Sequence, residues 1–296
     1  MDWRAIAMGT AFALMWSSAF TSARIIVADA PPLTALALRF AISGLLAVGI
    51  AAAAGQSFRL TRAQLAATLV FGLCQNALYL GLNFVAMQWI EASLAAIIAS
   101  MLPLLVALGA RFAFGERIGW LGIAGLAAGF GGAALIMGQR LGGGAVDPLG
   151  VGLALGGVLA LAVATLTLRG AASGGNVMMV VGYQMLVGSA VLALAALALE
   201  RGAELRPSWP LAIAFAYTTL VPGVLATWVW FRLVGRIGAT RAATFHFLNP
   251  FLAVAIAALV LGERVGPADA LGVAVIAAGI LAVQIARARP APGRRG

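Results

Sequence analysis

The chain has no lysine, one cysteine, one histidine and nine acidic residues in a length of 296. Charged residues make up 9% of it, where a soluble domain carries about a quarter. That shortage leaves too little polar surface to keep a folded chain in water, so lipid is the implied solvent. Cys74 stands alone, which excludes an intramolecular disulfide or a cysteine cluster, and inside its apolar run it reads as a buried small hydrophobe. With His246 also single and no zinc-protease, zinc-finger or EF-hand spacing, neither a metal centre nor a cofactor is expected. Gly142 to Gly144 are followed by no Lys-Ser or Lys-Thr, and Gly150, Gly152, Gly156 and Gly157 follow no strand, so phosphate and dinucleotide loops are excluded. No nucleophile or paired acid and base stands near an interface, and the reading is a protein that is not an enzyme.

What the chain does have is 63% hydrophobic residues and a formal charge of +10 carried entirely by arginine. A nucleic-acid binder gathers its positive charge on a face or tail amid polar residues, whereas these arginines are mostly spaced singly between apolar runs, so no nucleic-acid partner is expected. The spacing is a topology signal instead.

A bilayer core about 30 Å thick is crossed by roughly 20 helical residues. Ten runs of that length are expected, near 5–27, 33–54, 65–87, 92–114, 118–138, 149–168, 177–199, 209–231, 238–261 and 268–286. Short turn-rich connectors such as Ala30-Pro31-Pro32, Gly55-Gln56-Ser57, Ala172 to Gly175 and Arg206-Pro207-Ser208 separate them, and a basic tail, 287–296, follows. With the amino terminus inside, Arg4, Arg59, Arg62, Arg111, Arg117, Arg169, Arg232, Arg236, Arg241, Arg287, Arg289, Arg294 and Arg295 fall on the cytoplasmic side. Arg24, Arg140, Arg201, Arg206 and Arg264 fall on the other, so both termini are expected in the cytoplasm. Arg39 lies within the second span, where it either snorkels to headgroups or faces the bundle interior.

Compared with itself, the chain matches at a shift of 147: Pro103 falls on Pro250, Gly115-Glu116-Arg117 on Gly262-Glu263-Arg264, Gly119 on Gly266, Gly125 on Gly272 and Gly132 on Gly279. A repeat unit of five spans is odd, so its second copy must enter the bilayer from the opposite side. The fold expected is therefore all-α, with ten transmembrane helices formed by two inverted five-helix repeats, 1–140 and 149–286. Halves of like shape and opposite sense can exchange conformations, so that a cavity open inward becomes one open outward.

Gly122, Gly125, Gly129 and Gly132 recur at helical spacing on the fifth span and form a smooth packing strip. Such strips serve within one chain or between chains, so the oligomeric state stays open and a monomer suffices. Asn76, Tyr79 and Asn83 share a face of the third span beside Gln75, either lining a hydrated path or bonding to a neighbouring helix. His246 and Asn249 lie three apart just before Pro250, His246 being either a satisfied interhelical donor or a cargo contact. Trp16, Ser17, Ser18 and Thr21 on the first span, Tyr183 and Gln184 on the seventh, and Tyr217, Thr218 and Thr219 on the eighth complete the polar inventory. Trp16 is too deep for an interfacial belt and is placed in the cavity, whereas Trp228 and Trp230 are read as belt residues. Pro103, Pro250 and the Pro222-Gly223 pair are expected to bend or gate their helices. No carboxylate lies deep, since Glu91, Glu116, Glu200 and Glu263 sit at span ends, and amides, hydroxyls and rings suit an amphiphilic small molecule better than an inorganic cation.

The chain resembles the drug/metabolite transporter superfamily and its EamA-type permeases. The likeness is carried by Asn249-Pro250 with Leu261-Gly262-Glu263-Arg264 and Gly272, and by Pro103, Phe114-Gly115-Glu116-Arg117 and Gly125. Trp16-Ser17-Ser18-Ala19-Phe20 is similar to the family's Trp-Gly-x-x-Phe segment, with Ser17 in place of the glycine. The resemblance implies a bacterial inner-membrane permease that exports small metabolites, and the aromatic amino-acid exporter branch fits the inventory of rings and amides. The alternatives are a lipid flippase and a structural or interaction protein of the membrane.

Overall fold

The computed structural model describes residues 3–116, 118–142, 147–167, 176–238, 242 and 244–288. Regular structure among the described residues is helical throughout, and ten helices are long and apolar enough to cross a bilayer. They are α1 (Trp3–Asp29), α2 (Pro32–Ala53), α3 (Arg62–Ala86), α4 (Ala92–Phe114), α5 (Trp120–Gly142), α6 (Pro148–Thr167), α7 (Val177–Leu199), α8 (Trp209–Ile237), α9 (Thr244–Leu261) and α10 (Pro267–Ala288). Arg117, Arg169, Arg241, the connector at 172–175 and the tail from 289 onward lie outside the described residues.

Helix ends follow local chemistry. Thr61 and Gln64 form a reciprocal capping box at the start of α3. Gly115 and Gly262, related by the 147-residue shift, close α4 and α9 in the left-handed region at φ 65° and 68°. The expected ninth span started too early. The apolar pattern carries α8 on to Ile237, and Gly238, with φ 81°, ends that helix instead of opening the next.

Helix contacts repeat in a two-fold pattern. α2 packs along α7 and α5 along α10, while α1 meets α8 and α9 as α6 meets α3 and α4. Exchanging each helix for the one five places along leaves this set unchanged. Backbone irregularities repeat as well: α3 carries a π-helical segment, Gly72–Leu80, and α8 carries one, Val221–Leu225, at the related place. α4 is interrupted at Ser100 and Met101, and α9 changes from a 3-10 turn, Thr244–Leu248, to α-helix at Asn249. Pro103 and Pro250 each occupy the first turn of the segment that follows, where a missing N–H costs little, so both spans are broken rather than kinked.

Without water to drive helices together, close packing and paired polar groups hold them. A methyl group added at Gly125 would lie 2.8 Å from the Gly279 carbonyl oxygen, and one at Gly132 would lie 2.8 Å from that of Gly272. The expected glycine strip is therefore the face of α5 that meets α10. At the helix ends, Glu200 after α7 accepts from the Leu33 and Thr34 amides of α2 at 2.7 and 2.8 Å, and Gln56 after α2 accepts from Met179 of α7 at 3.0 Å. Glu263 after α9 accepts from Ala92 and Ser93 at the start of α4, at 2.8 and 3.0 Å. In these two symmetry-related pairs orphan N–H groups are satisfied across the pair, and a carboxylate there also suits the positive end of the helix dipole.

Candidate functional site

α1 turns Phe12 and Trp16 to one side because they are four residues apart. Their rings stack at 5.7 Å between centroids. From α8, Trp230 meets Phe12 at 4.7 Å, and His246 of α9 meets Phe12 edge-on at 5.4 Å and Trp230 at 5.2 Å. Three helices therefore assemble one ring cluster in which Trp16, Trp230 and His246 remain partly accessible. The amide nitrogen of Asn249 lies 3.0 Å from His246 Nδ1. An amide donating there leaves the ring proton on Nε2 and fixes the plane of the imidazole. The Asn249 side-chain oxygen is buried without a partner, while buried Ser17 donates to the Asn249 carbonyl at 3.3 Å. Farther along α1, Ser18 Oγ and the Tyr217 hydroxyl of α8 are 2.7 Å apart.

Trp16, Ser17, His246 and Asn249 thus come together. Trp230 joins them in place of its expected belt position, and Phe12, not singled out in the sequence, completes the cluster. Trp228 stays on the outside, with the Arg232 guanidinium 4.9 Å from its ring centre.

The third-span residues lie elsewhere. Asn76 is buried and donates to the Gln184 carbonyl of α7 at 2.9 Å, using Gln184's backbone rather than its side chain. Asn83 donates to the Tyr79 carbonyl at 2.8 Å, and both residues press on α6, where a methyl group at Gly157 would lie 3.0 Å from that carbonyl oxygen. In this conformation the stripe is packed, although the Asn83 side-chain oxygen has no partner. Gln75 and Cys74 are only half-buried. Tyr183 lines a separate groove with Phe58, Leu65 and Leu186, its hydroxyl 3.4 Å from the Phe58 carbonyl.

These two regions are copies of one another. The 147-residue shift places Asn83 on Trp230, and pairing the first residue of α1, Trp3, with that of α6, Pro148, places Phe12 on Gly157. Where one copy closes by glycine against amide, the other is filled by facing rings.

Arg39 of α2 is 6% exposed, with its guanidinium 5.2 Å from the Phe40 ring centre. Its side chain is covered by neighbouring helices rather than standing at the bundle's surface. Its neighbour is the π-helical turn of α8: a methyl group at Gly223 would lie 3.0 Å from Ser43 Oγ and 3.8 Å from Arg39 Nη2. Ser43, one turn along from Arg39, donates to the Thr219 carbonyl at 3.2 Å.

Among the described residues no group of three or more His, Cys, Asp or Glu could hold a metal ion. What the arrangement offers is rings, amides and hydroxyls for reversible binding. The chain is similar to known membrane transporters. The "Uncharacterized transporter YvbV" of Bacillus subtilis is 26% identical over 84% of this chain and 81% of its own length. The "Uncharacterized inner membrane transporter YedA" of Escherichia coli K12 is 27% identical over 94% and 90%. A solved protein structure 23% identical, covering 97% of this chain and 99% of that one, superposes with a TM-score of 0.68 and shares the fold. The profile of the EamA-like transporter family matches twice, at residues 3–138 and 148–284. Ten membrane-crossing helices, a two-fold contact pattern and a double match spanning nearly the whole sequence lead to one assignment: the chain belongs to the EamA-like transporter family.

Proposed function

We propose that this chain exports small amphiphilic metabolites, amino acids including aromatic ones foremost, by alternating access through a passage bordered by the ring cluster. It is a multi-pass transporter of the bacterial inner membrane and not an enzyme, and solute passes through it without covalent chemistry. The two units are residues 1–140 and 149–286, inserted in opposite senses with both termini in the cytoplasm. The reading is supported by the antiparallel end-capping between α2 and α7 and by the arginine distribution.

The observation that carries the cargo assignment is the meeting of Trp16, Trp230 and His246 around Phe12, beside an unpartnered amide oxygen. Partly accessible rings at membrane depth, with a polar acceptor beside them, suit a solute having an aromatic or apolar body and a hydrogen-bonding head. Tyr79 and Asn83, which press on α6, form the related face that opens in the opposite state, when the ring side closes, with Asn76 beside them against α7.

Counterflow in proteoliposomes tests this directly. Preloaded unlabelled phenylalanine or tryptophan should accelerate uptake of the labelled compound, and the acceleration should fall in His246→Ala. Absence of exchange for every amino acid and nucleoside tried, with protein correctly inserted, would remove the cargo assignment, and transport of labelled lipid instead would identify a flippase.

A further inference from the structure

Among the described residues the buried Arg39 charge meets only the face of the adjacent Phe40 ring. A guanidinium stays protonated under all ordinary conditions, so burial cannot be relieved by losing the proton. Its Nε is buried with no partner, and among the described residues no hydrogen bond or ion pair reaches the side chain. Carboxylates at the span ends are committed elsewhere: Asp29 accepts from Ser208 at 2.5 Å, and Glu200 and Glu263 cap helices. Packing does not require the charge either. Gly223 on α8 corresponds to Asn76 on α3 at the 147-residue shift. Gly223 touches Arg39 and Ser43 as Asn76 touches Gln184 and Gly188. Arg39 therefore corresponds to Gln184, and the related interface closes around a neutral residue.

The irregular backbone beside Arg39 points the same way. Pro222 withholds the N–H that a regular α-helix would give the Thr218 carbonyl, and such broken helices at membrane depth are tolerated where they border a cavity. Gly223 keeps the guanidinium's approach to α8 open, since its own side is bare. From Gly223 to Trp230 is seven residues along α8, about 10 Å of helix rise, a span comparable to a small amphiphilic molecule.

Resting on the transport reading above, we propose that Arg39 receives the carboxylate of the cargo, whose apolar or aromatic body lies toward the ring cluster. Cargo would then be organic carboxylates, zwitterionic amino acids included, and amines lacking the carboxylate would be rejected. The guanidinium fork suits two parallel hydrogen bonds to a carboxylate, and the cost of a lone buried cation falls only while cargo is bound.

Binding and movement are measured separately. Quenching of intrinsic tryptophan fluorescence in detergent reports binding of L-phenylalanine, 3-phenylpropanoate and phenethylamine, which share a ring but differ in the carboxylate. Both carboxylates should bind to the wild type, and phenethylamine should not. Arg39→Gln should weaken carboxylate binding on the order of 10- to 100-fold, and Arg39→Lys, which keeps charge but not the fork, should weaken it less. Because Gln removes an unpaired buried charge, it should insert and unfold in detergent no less stably than the wild type, so misfolding is separable from lost recognition. Equal binding of phenethylamine, or carboxylate binding unchanged in Arg39→Gln, would overturn the inference. Counterflow of the same compounds tests the transport reading: binding that depends on Arg39 without exchange would sink that reading alone.

Discussion

Trp228 and Trp230 are two residues apart on one helix, which turns them roughly 200° from each other. One carries Arg232 on its face at the outside of the bundle; the other joins Phe12 and His246. Trp230→Ala should therefore lower exchange about tenfold, the scale of a lost aromatic contact with its burial, whereas Trp228→Ala should stay within about twofold. Initial counterflow rates at matched protein density check both. The contrast also marks where sequence reading stops. Trp16 could be set apart from the belt because no interfacial belt reaches so deep, but Trp230 lies beyond the π-helical turn at Val221–Leu225, where the extra residue per turn shifts every face downstream of it. Regular helical spacing puts Asn76 and Asn83 on one face, but the π-helical segment Gly72–Leu80 turns Asn76 to α7 and Asn83 to α6. Whether each met water or another helix depended on Gly157 and Gly188, which lie far away in the chain.

At the scale of elements, the legible features were those set by length or by a residue with singular backbone chemistry. Ten spans follow from the thickness of lipid, and the glycines at 122, 125, 129 and 132 announce a tight interface, although only the structure assigns it to α10. Gly115 and Gly262 stand at φ 65° and 68°, so alanine at either place meets a left-handed backbone, with open space around it. Each substitution should cost about 1 kcal/mol, and by near-equal amounts because the two turns are copies. Glu200→Ala removes acceptors from two amides and the hydroxyl of Thr34, and should cost about 1–2 kcal/mol, with Glu200→Gln intermediate because it still accepts but carries no charge. Thermal unfolding in a single detergent orders these variants. The reciprocal bonding of Glu200 to α2 and Gln56 to α7 was not readable beforehand, since the shift of 147 does not align these two residues.

For the whole molecule, the decisive quantity is the sense in which each half crosses the bilayer. An odd number of spans per repeat and crossing contacts such as Gly125 with Gly279 and Gly132 with Gly272 are what a two-fold axis in the membrane plane would produce, and the uneven arginines, which such an axis cannot generate, would then set which side faces the cytoplasm. Gly119 and Gly266 occupy related turns before α5 and α10, and a side chain at either meets nothing nearer than 3.7 Å. In a Cys74→Ser background, Gly119→Cys and Gly266→Cys therefore place one thiol in each turn without disturbing the fold. In right-side-out vesicles, a membrane-impermeant maleimide should label Gly266→Cys at once and Gly119→Cys only after the membrane is opened. Labelling of both from the same side would leave the halves parallel, and parallel halves cannot trade an inward opening for an outward one by exchanging the shapes of the ring side and the α3–α6 side.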